Sequence, residues 1–590
     1  MKQPKTSRIT FLRLLIPAIL LVVASAPRAQ AQYYNGSQMT FGQNRVQHIE
    51  MLWTFYRFQE FDIYFYKGGK NLAIYAAKAA DKYIAELEKK LDYQLEKKLQ
   101  LVVFNKLSDL RQTNIGLMGS EQYNTGGVTR IVGTKILLYF DGDHAHFEEE
   151  IKAGLAQVLV NQMMYGGDLK DMLKNSTFLN LPEWYLNGLM SYLAKGWNMH
   201  VDNRVKDGII SGRYRKFNKL SGEDAVYAGH SIWAYIADIY GESVIPNILY
   251  MAKISRNIES GFLFVLGTSL KNLTFEWINY YTERYTNADK TRHLPENSVE
   301  IGKLKKNRTY FHLKISPDGS KAVYVSNHMG KYKVWLHDFE TGKTEKIFKK
   351  GFKLAEYRLD YSFPLLDWHP GGKMLAMMRE HKGRILLGYY DLSQKRPKWQ
   401  ETPFLHFEKI VDFSYSGDGK NLVLSAIREG QSDIFVYNIS SFTNKQITND
   451  IYDDLHPRFV RNDEGILFSS NRVDDTLRMK TDVHLVPASK DIFYYDAGAQ
   501  SNILKRITRT PDVDEDFPFA YDSVYFSYLS NANGINNRFL ARLDSVISHI
   551  DTVAHYRPVV QTQPLTNYSR NIVEQHIVPS AKKAGELMFA

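Results

Sequence analysis

The chain has no cysteine in 590 residues. Disulfides, thiolate catalysis and cysteine-held metals are therefore excluded. It has no His-Glu-x-x-His run and no inverted form of one. That removes a standard way of placing two imidazoles and a carboxylate around zinc on one helix face. Beyond the first 31 residues no apolar run is long enough to cross a bilayer as a helix. Long runs of one charge are also missing. Lys303–Lys306 and Lys349-Lys350 are short, and read as solvated turns rather than nucleic-acid contacts. Gly126-Gly127 and Gly166-Gly167 lack a phosphate-loop context, and no Ser sits in a nucleophile elbow.

The start of the chain is basic and then apolar. Lys2, Lys5, Arg8 and Arg13 precede the run Leu14–Ala26, and Ala29-Gln30-Ala31 is a small-x-small site. This is the pattern of a cleavable export signal, with the mature chain starting near Gln32. The rival reading is an uncleaved anchor. No Cys follows the apolar run, so anchoring through a lipidated N-terminal Cys is not expected. The formal net charge is +11, and the first 31 residues hold five Lys/Arg and no acid, which leaves +6 for the rest. That is mild for the size. With 44% hydrophobic residues the chain can build two or three cores.

From about 40 to 290 the pattern is α+β. Phe61–Tyr66, Leu99–Phe104 and Thr134–Phe140 read as strands, and Leu72–Leu91 as a helix. Helices follow over about 146–165, 182–195, 229–241 and 243–254. Two of them carry a pattern. Phe147–Met163 is amphipathic, and about 20 residues later comes Leu181-Pro182-Glu183-Trp184-Tyr185-Leu186-Asn187-Gly188. This pair resembles the gluzincin zinc peptidases of the peptidase MA-like family. There the first helix carries His-Glu-x-x-His and the second supplies a Glu as third ligand. The positions that align here are Ala153, Gly154, Gln157 and Asn187. Ala and Gly offer neither ligand nor base, and side-chain amides are weak zinc donors. The resemblance implies a zincin-like fold over 32–292 whose catalytic groups are lost, and an edge strand just before the first helix. His144 and His146, in the polar run Asp141–Glu150, are weak metal candidates. Asp143 as a helix cap is the plainer reading there. His230 reads as a packed, hydrogen-bonded histidine.

From about 300 to 590 helical periodicity stops. Ser316-Pro317-Asp318-Gly319 feeds Ala322–Ser326, His369-Pro370-Gly371-Gly372 feeds Met374–Met378, and Ser416-Gly417-Asp418-Gly419 feeds Asn421–Ser425. Weaker copies lie at His456–Ser470 and Asp516–Ser527. Strands such as Lys333–His337, Asp433–Tyr437 and Asp491–Tyr495 follow. Turn-fed strands at this spacing mark propeller blades. The rival is an array of β-sandwiches. The repeats resemble those of TolB-type propellers. Five blades are readable and Asn571–Ala590 looks like the start of a sixth. Either another segment closes the ring, or the chain is a truncated form of a longer protein. The stretch from Asn287 to Lys306, with Pro295, reads as an exposed connection between the halves.

These readings combine into a multidomain chain: signal (1–31), zincin-like α+β domain (32–292) and all-β propeller (300–590). The expected function is a non-catalytic, protein-binding scaffold of a Gram-negative envelope, periplasmic and outer-membrane associated. Envelope or outer-membrane proteins are its expected partners. No cofactor, no nucleic acid and no membrane-embedded segment after signal cleavage are expected. The rival is a hydrolase, either an unconventional metallopeptidase or a propeller glycosidase, whose carboxylate pair cannot be assigned here.

Overall fold

The computed structural model describes residues 48–589 apart from 113–129, 133, 167–180, 297, 302–303, 306, 354–358, 478–481 and 551–553. The export signal, Gly126-Gly127, Gly167, Lys303 and Lys306 lie outside the described residues.

The N-terminal half is built on one mixed sheet. Strands β1 (Thr54–Arg57), β2 (Phe61–Phe65), β3 (Leu99–Phe104), β4 (Arg130–Val132) and β5 (Lys135–Tyr139) stand in the order β1-β2-β3-β5-β4. The inner strands β2, β3 and β5 run parallel, and β1 and β4 are antiparallel edges. The segment read as an edge strand is thus interior. The edge is Arg130–Val132, a strand of three residues, too short to show a period in sequence.

Helix α1 (Lys70–Leu91) joins β2 to β3. Its Ala, Lys, Glu and Leu content favours helix, and Asp92 ends it in the left-handed region at φ 49°. Helix α2 (His144–Tyr165), which reads as amphipathic in sequence, is buried on every side over Ala153–Val160, because neighbouring elements cover it all round. It packs on α1, on β5 and on α3 (Glu183–Lys195). Then come α4 (Met199–Ile210), α5 (Gly222–Tyr240), α6 (Val244–Ser255), α7 (Ile258–Leu266) and α8 (Leu270–Asp289).

Helices α3 and α5 cross with their backbones touching. A Cβ on Gly188 would lie 2.3 Å from backbone atoms of Gly229, and one on Gly229 2.0 Å from the Trp184 carbonyl oxygen. Only glycine fits both positions. Around the crossing Trp184, Trp233 and Trp277 are fully buried. Each indole N–H has an acceptor: Asn218 Oδ1, the Tyr185 carbonyl and Ser231 Oγ.

The C-terminal half is a β-propeller with five four-stranded blades: 309–350, 365–404, 409–446, 454–506 and 515–564. A two-stranded sheet, Ile572–Val578 and Lys583–Met588, stands between the fifth blade and the first. The ring is read from the innermost strands. Thr309–Ile315, Leu365–Trp368, Lys409–Tyr415, Asp454–Val460, Glu515–Ala520 and Ile572–Val578 each contact the next, and the last contacts the first. A sandwich array would not close this cycle.

Every repeat found in sequence is the turn from a blade's first strand to its second. Ser316 Oγ donates to Asp318 Oδ1 (2.5 Å) and accepts from the Lys321 amide (2.9 Å). Ser416, Asp418 and Asn421 repeat this at 2.6 and 2.9 Å. Gly319 and Gly419 follow at φ +72° and +73°, where a side chain is strained.

The connection between the halves is pinned over part of its length. Arg292 donates to the Asn533 carbonyl (2.6 Å), Asn567 donates to the Thr291 carbonyl (2.9 Å), and His293 forms a parallel bridge with Tyr568. The exposed connection expected there is held to the ring at residues 291–293.

Candidate functional site

Ala153, Gly154 and Gln157 are buried on α2, and Asn187 is half-buried on α3, which packs against it. None offers a carboxylate or an imidazole. The glycine beside Asn187 has its own reason to be there, since Gly188 makes the crossing with Gly229.

The polar groups of α2 gather at its first turns instead. Asp143 caps the helix, its Oδ1 accepting from the amides of Ala145 (2.9 Å) and His146 (3.3 Å). His146 Nδ1 meets Asp141 Oδ2 at 2.6 Å, and its Nε2 lies 3.8 Å from Glu150. Burial opposes charge on His146, but Asp141 and then Glu150 overcome it and raise its pKa to about 10. Burial pushes Glu150 up to about 8, against the pull of His146. Glu149 is raised by burial and receives Asn198 Nδ2 at 3.4 Å. His200, one helix away, is held down to about 4 by burial and by Lys195 and Arg204. The neighbouring carboxylates thus favour the imidazolium form of His146, burial favours neutral His200, and Glu150 is shifted toward its protonated form. Ser191 Oγ lies 2.9 Å from His230 Nδ1, but both side chains are sealed in the core. Burial holds His230 down to about 3.

His144 faces the other way, into the propeller. Its amide donates to Asp453 Oδ2 (2.8 Å) and its Nδ1 meets Asp453 Oδ1 (2.6 Å). Asn471 Nδ2 donates to the same carboxylate at 2.8 Å. The ring packs between Tyr75 and Phe140, with centroids at 4.3 and 4.7 Å. Beside it Ser432 Oγ donates to the Gly142 carbonyl (2.7 Å), and Lys490 pairs with Asp143 (3.0 Å). His144 and His146 are thus engaged by different carboxylates. The turn Asp141–His144 plugs the N-terminal half into blades 3 and 4, and Ile427, Ile451, Tyr452 and Val486 of the propeller join the core of the N-terminal half.

Close to this plug, three carboxylates meet at the junction of blades 3 and 4. One oxygen each of Asp433, Asp450 and Asp454 lies within 4.8 Å of the others, and all three residues are buried. Arg472, itself fully buried, donates twice to Asp454 (2.8 Å) and once to Asp450 (3.3 Å). Blade 4 repeats the scaffold. Asp491 Oδ1 accepts from Thr508 Oγ1 and the Thr510 amide, as Asp433 Oδ1 does from Thr448 Oγ1 and the Asp450 amide. Arg506 neutralises Asp491, but Gln446 stands against Asp433. Burial first, and then Asp454 and Asp450, drive the Asp433 pKa well up. Burial lifts Asp450 to about 6, against the pull of Arg472. The blade 3–blade 4 repeat is visible in sequence. The convergence of four residues spread over 433–472 is not.

At the axis of the ring the inner strands carry further charge. Arg458 pairs with Asp412 (2.7 Å) and His456 with Asp516 (2.6 Å). Lys314 is buried and lies 6.0 Å from the Phe519 ring across the axis. A cleft of about 360 Å³ separates Arg111 and Gln112 of the N-terminal half from Tyr332 of blade 1, Glu380 and Lys382 of blade 2, and Asp360 between the two blades.

No family model and no curated protein matches the sequence. Among solved structures the chain is similar to TolB from Acinetobacter baumannii at 17% identity and a TM-score of 0.32, over 40% of this chain and 53% of that one. This chain thus spans about half the length of that protein. It is also similar to a putative TolB from Agrobacterium tumefaciens (15%, TM-score 0.31, 48% of this chain and 91% of that one). The propeller domain of a trilobed protease from Pyrococcus furiosus gives 10%, TM-score 0.29, and coverage of 46% and 89%. The assignment of the propeller stands on its own strand order. Among the described residues no helix is long and apolar enough to cross a membrane.

Proposed function

We propose that this chain is a non-catalytic, exported scaffold. A zincin-like domain that has lost its metal chemistry is joined to a TolB-like propeller, and the two bind envelope or outer-membrane proteins. The observation that carries the reading is the side-chain set Ala153, Gly154, Gln157 and Asn187 on the packed helices α2 and α3. Further support comes from the sheet, whose antiparallel edge β4 precedes β5 and α2, an arrangement suited to a peptidase's substrate edge. The basic-apolar start and the Ala29-Gln30-Ala31 site support export to the periplasm.

Purified protein should hold no stoichiometric zinc and cleave no peptide. About one zinc per chain, lost on substitutions along α2, defeats the non-catalytic reading. The zincin register has its own test. Ala153→His, Gly154→Glu, Gln157→His and Asn187→Glu together should create zinc affinity, because the four side chains would then converge. A folded quadruple variant without zinc affinity refutes that register. The full chain used as bait on envelope membranes should retain outer-membrane proteins. Recovery of none would remove the scaffold reading and leave the hydrolase alternative.

A further inference from the structure

Blade 1 carries a cavity of about 220 Å³ whose lining has no acid among the described residues. Arg308, His328, Lys331, Lys333, Lys349 and Lys353 surround it. The strand register concentrates this charge. Lys333 stands directly opposite Lys349 on one side and Ser326 on the other, and His328 opposite Lys331. Like charges facing each other across a sheet destabilise it, so the arrangement conflicts with the fold's own stability. Such conflicts mark functional positions.

The groups stand ready for a ligand. Arg308 Nε is buried without a hydrogen-bond partner. His328 Nδ1 is taken by the Asn307 carbonyl at 2.9 Å. Lys333 Nζ lies over the Trp335 ring at 5.3 Å, and that indole donates to Ser326 Oγ (2.8 Å), which fixes the wall. Burial, then Arg308 and the lysines at 346, 349 and 331, lower the Lys333 pKa, so the cations repel one another. Among the described residues, none of the N-terminal half or of the ring's axis lines this site.

We propose that this cavity binds a phosphate-bearing anion. Several ammonium groups and a guanidinium converge on a concave site, which suits an oxyanion of two or more charges. The volume exceeds the share of one water, about 30 Å³, several-fold.

The test uses the full chain with two probes: pyrophosphate, and vesicles of phosphatidylglycerol compared with phosphatidylcholine. The expected result is a saturable rise in melting temperature with pyrophosphate at constant ionic strength, or flotation with the anionic vesicles alone. The first outcome assigns a soluble phosphate and the second a lipid headgroup. Lys333→Gln with Lys349→Gln should weaken binding at least tenfold. The same variant should melt no lower than the parent without ligand, because it relieves repulsion. If that pair does not fold, Lys331→Gln with Lys353→Gln serves the same purpose. No saturable binding of either probe, or undiminished binding by a folded variant, overturns the proposal.

Discussion

Arg472→Met tests whether the carboxylates at the junction of blades 3 and 4 are a charge network held by one cation. Arg472 is fully buried, in contact with Asp454 and Asp450 and flanked by the rings of Tyr452, Phe468 and Phe493 at 5.4–5.9 Å. Methionine keeps much of the volume and removes the charge. Removing one partner from a buried pair costs about 3–5 kcal/mol, because the other is left uncompensated. In a propeller of this size that lowers the melting temperature by roughly 5–8 °C.

The pH dependence gives a sharper reading. Asp433 and Asp450 hold their protons more tightly in the folded chain than in the unfolded one. The folded state therefore binds more protons, and their contribution to stability falls as pH rises from the ordinary aspartate value through about 6. Without Arg472, whose charge pulls it down, Asp450 should hold its proton more tightly still. The variant's deficit, measured by denaturant unfolding, should be larger at pH 8 than at pH 5. Adding Asp454→Asn should recover part of it. A deficit below about 1 kcal/mol, within the range of an ordinary surface pair, or one equal at the two pH values, would refute the reasoning.

Gly229→Ala should destabilise the helical half at the upper end of the roughly 1–3 kcal/mol seen for overpacking, since its Cβ meets a backbone carbonyl that cannot rotate away. An unchanged thermal melt of the helical circular-dichroism signal would count against the crossing. Asp453→Ala should leave the His144 amide and ring nitrogen buried without their acceptor, at about 1–3 kcal/mol each. Hydrogen exchange should then speed up together at residues 141–144 and 451–454. Exchange rising on one side only would show that the plug does not couple the halves.

Local chemistry was legible in the sequence and convergent chemistry was not. The Ser316-Asp318-Gly319 and Ser416-Asp418-Gly419 turns announce themselves because each is complete within a few residues. The caps and periodicity of α1 and α2 lie within one helix, and these were placed to within a few residues. Helix α5 starts at Gly222, seven residues before the expected 229, because Gly229 looks like a boundary when its partner Gly188 is unseen. Helices α4, α7 and α8 were not anticipated. The buried face of α8, Leu270, Leu273, Trp277, Tyr281 and Tyr285, does have helical spacing, but it sits in a polar segment. The plug at Asp141–His144 looked like a metal-flavoured polar run, since its acceptor Asp453 lies 309 residues away. Lys349-Lys350 likewise reads as a solvated turn in sequence, but it ends the strand Thr344–Lys350, whose register sets Lys349 against Lys333.

The plug has a mechanical consequence. Besides Asp453 and Ser432, the N-terminal half grips Gly383 and Glu408 through Lys106, whose ammonium reaches both carbonyls at 3.2 Å. It thereby staples the seams from blade 2 to blade 4 from outside the ring. The seam between blade 1 and the Ile572–Val578 sheet has no such staple among the described contacts. It is closed by an apolar cluster in which Leu313, Ile315 and Tyr324 meet Val578 and Leu587, and by side chains reaching backbone: Glu574 and His576 accept from the amides of His312 and Ile315, and Lys583 reaches the Gly319 carbonyl. Under tension the ring should part there first, opening like a clasp with its hinge beneath the helical half.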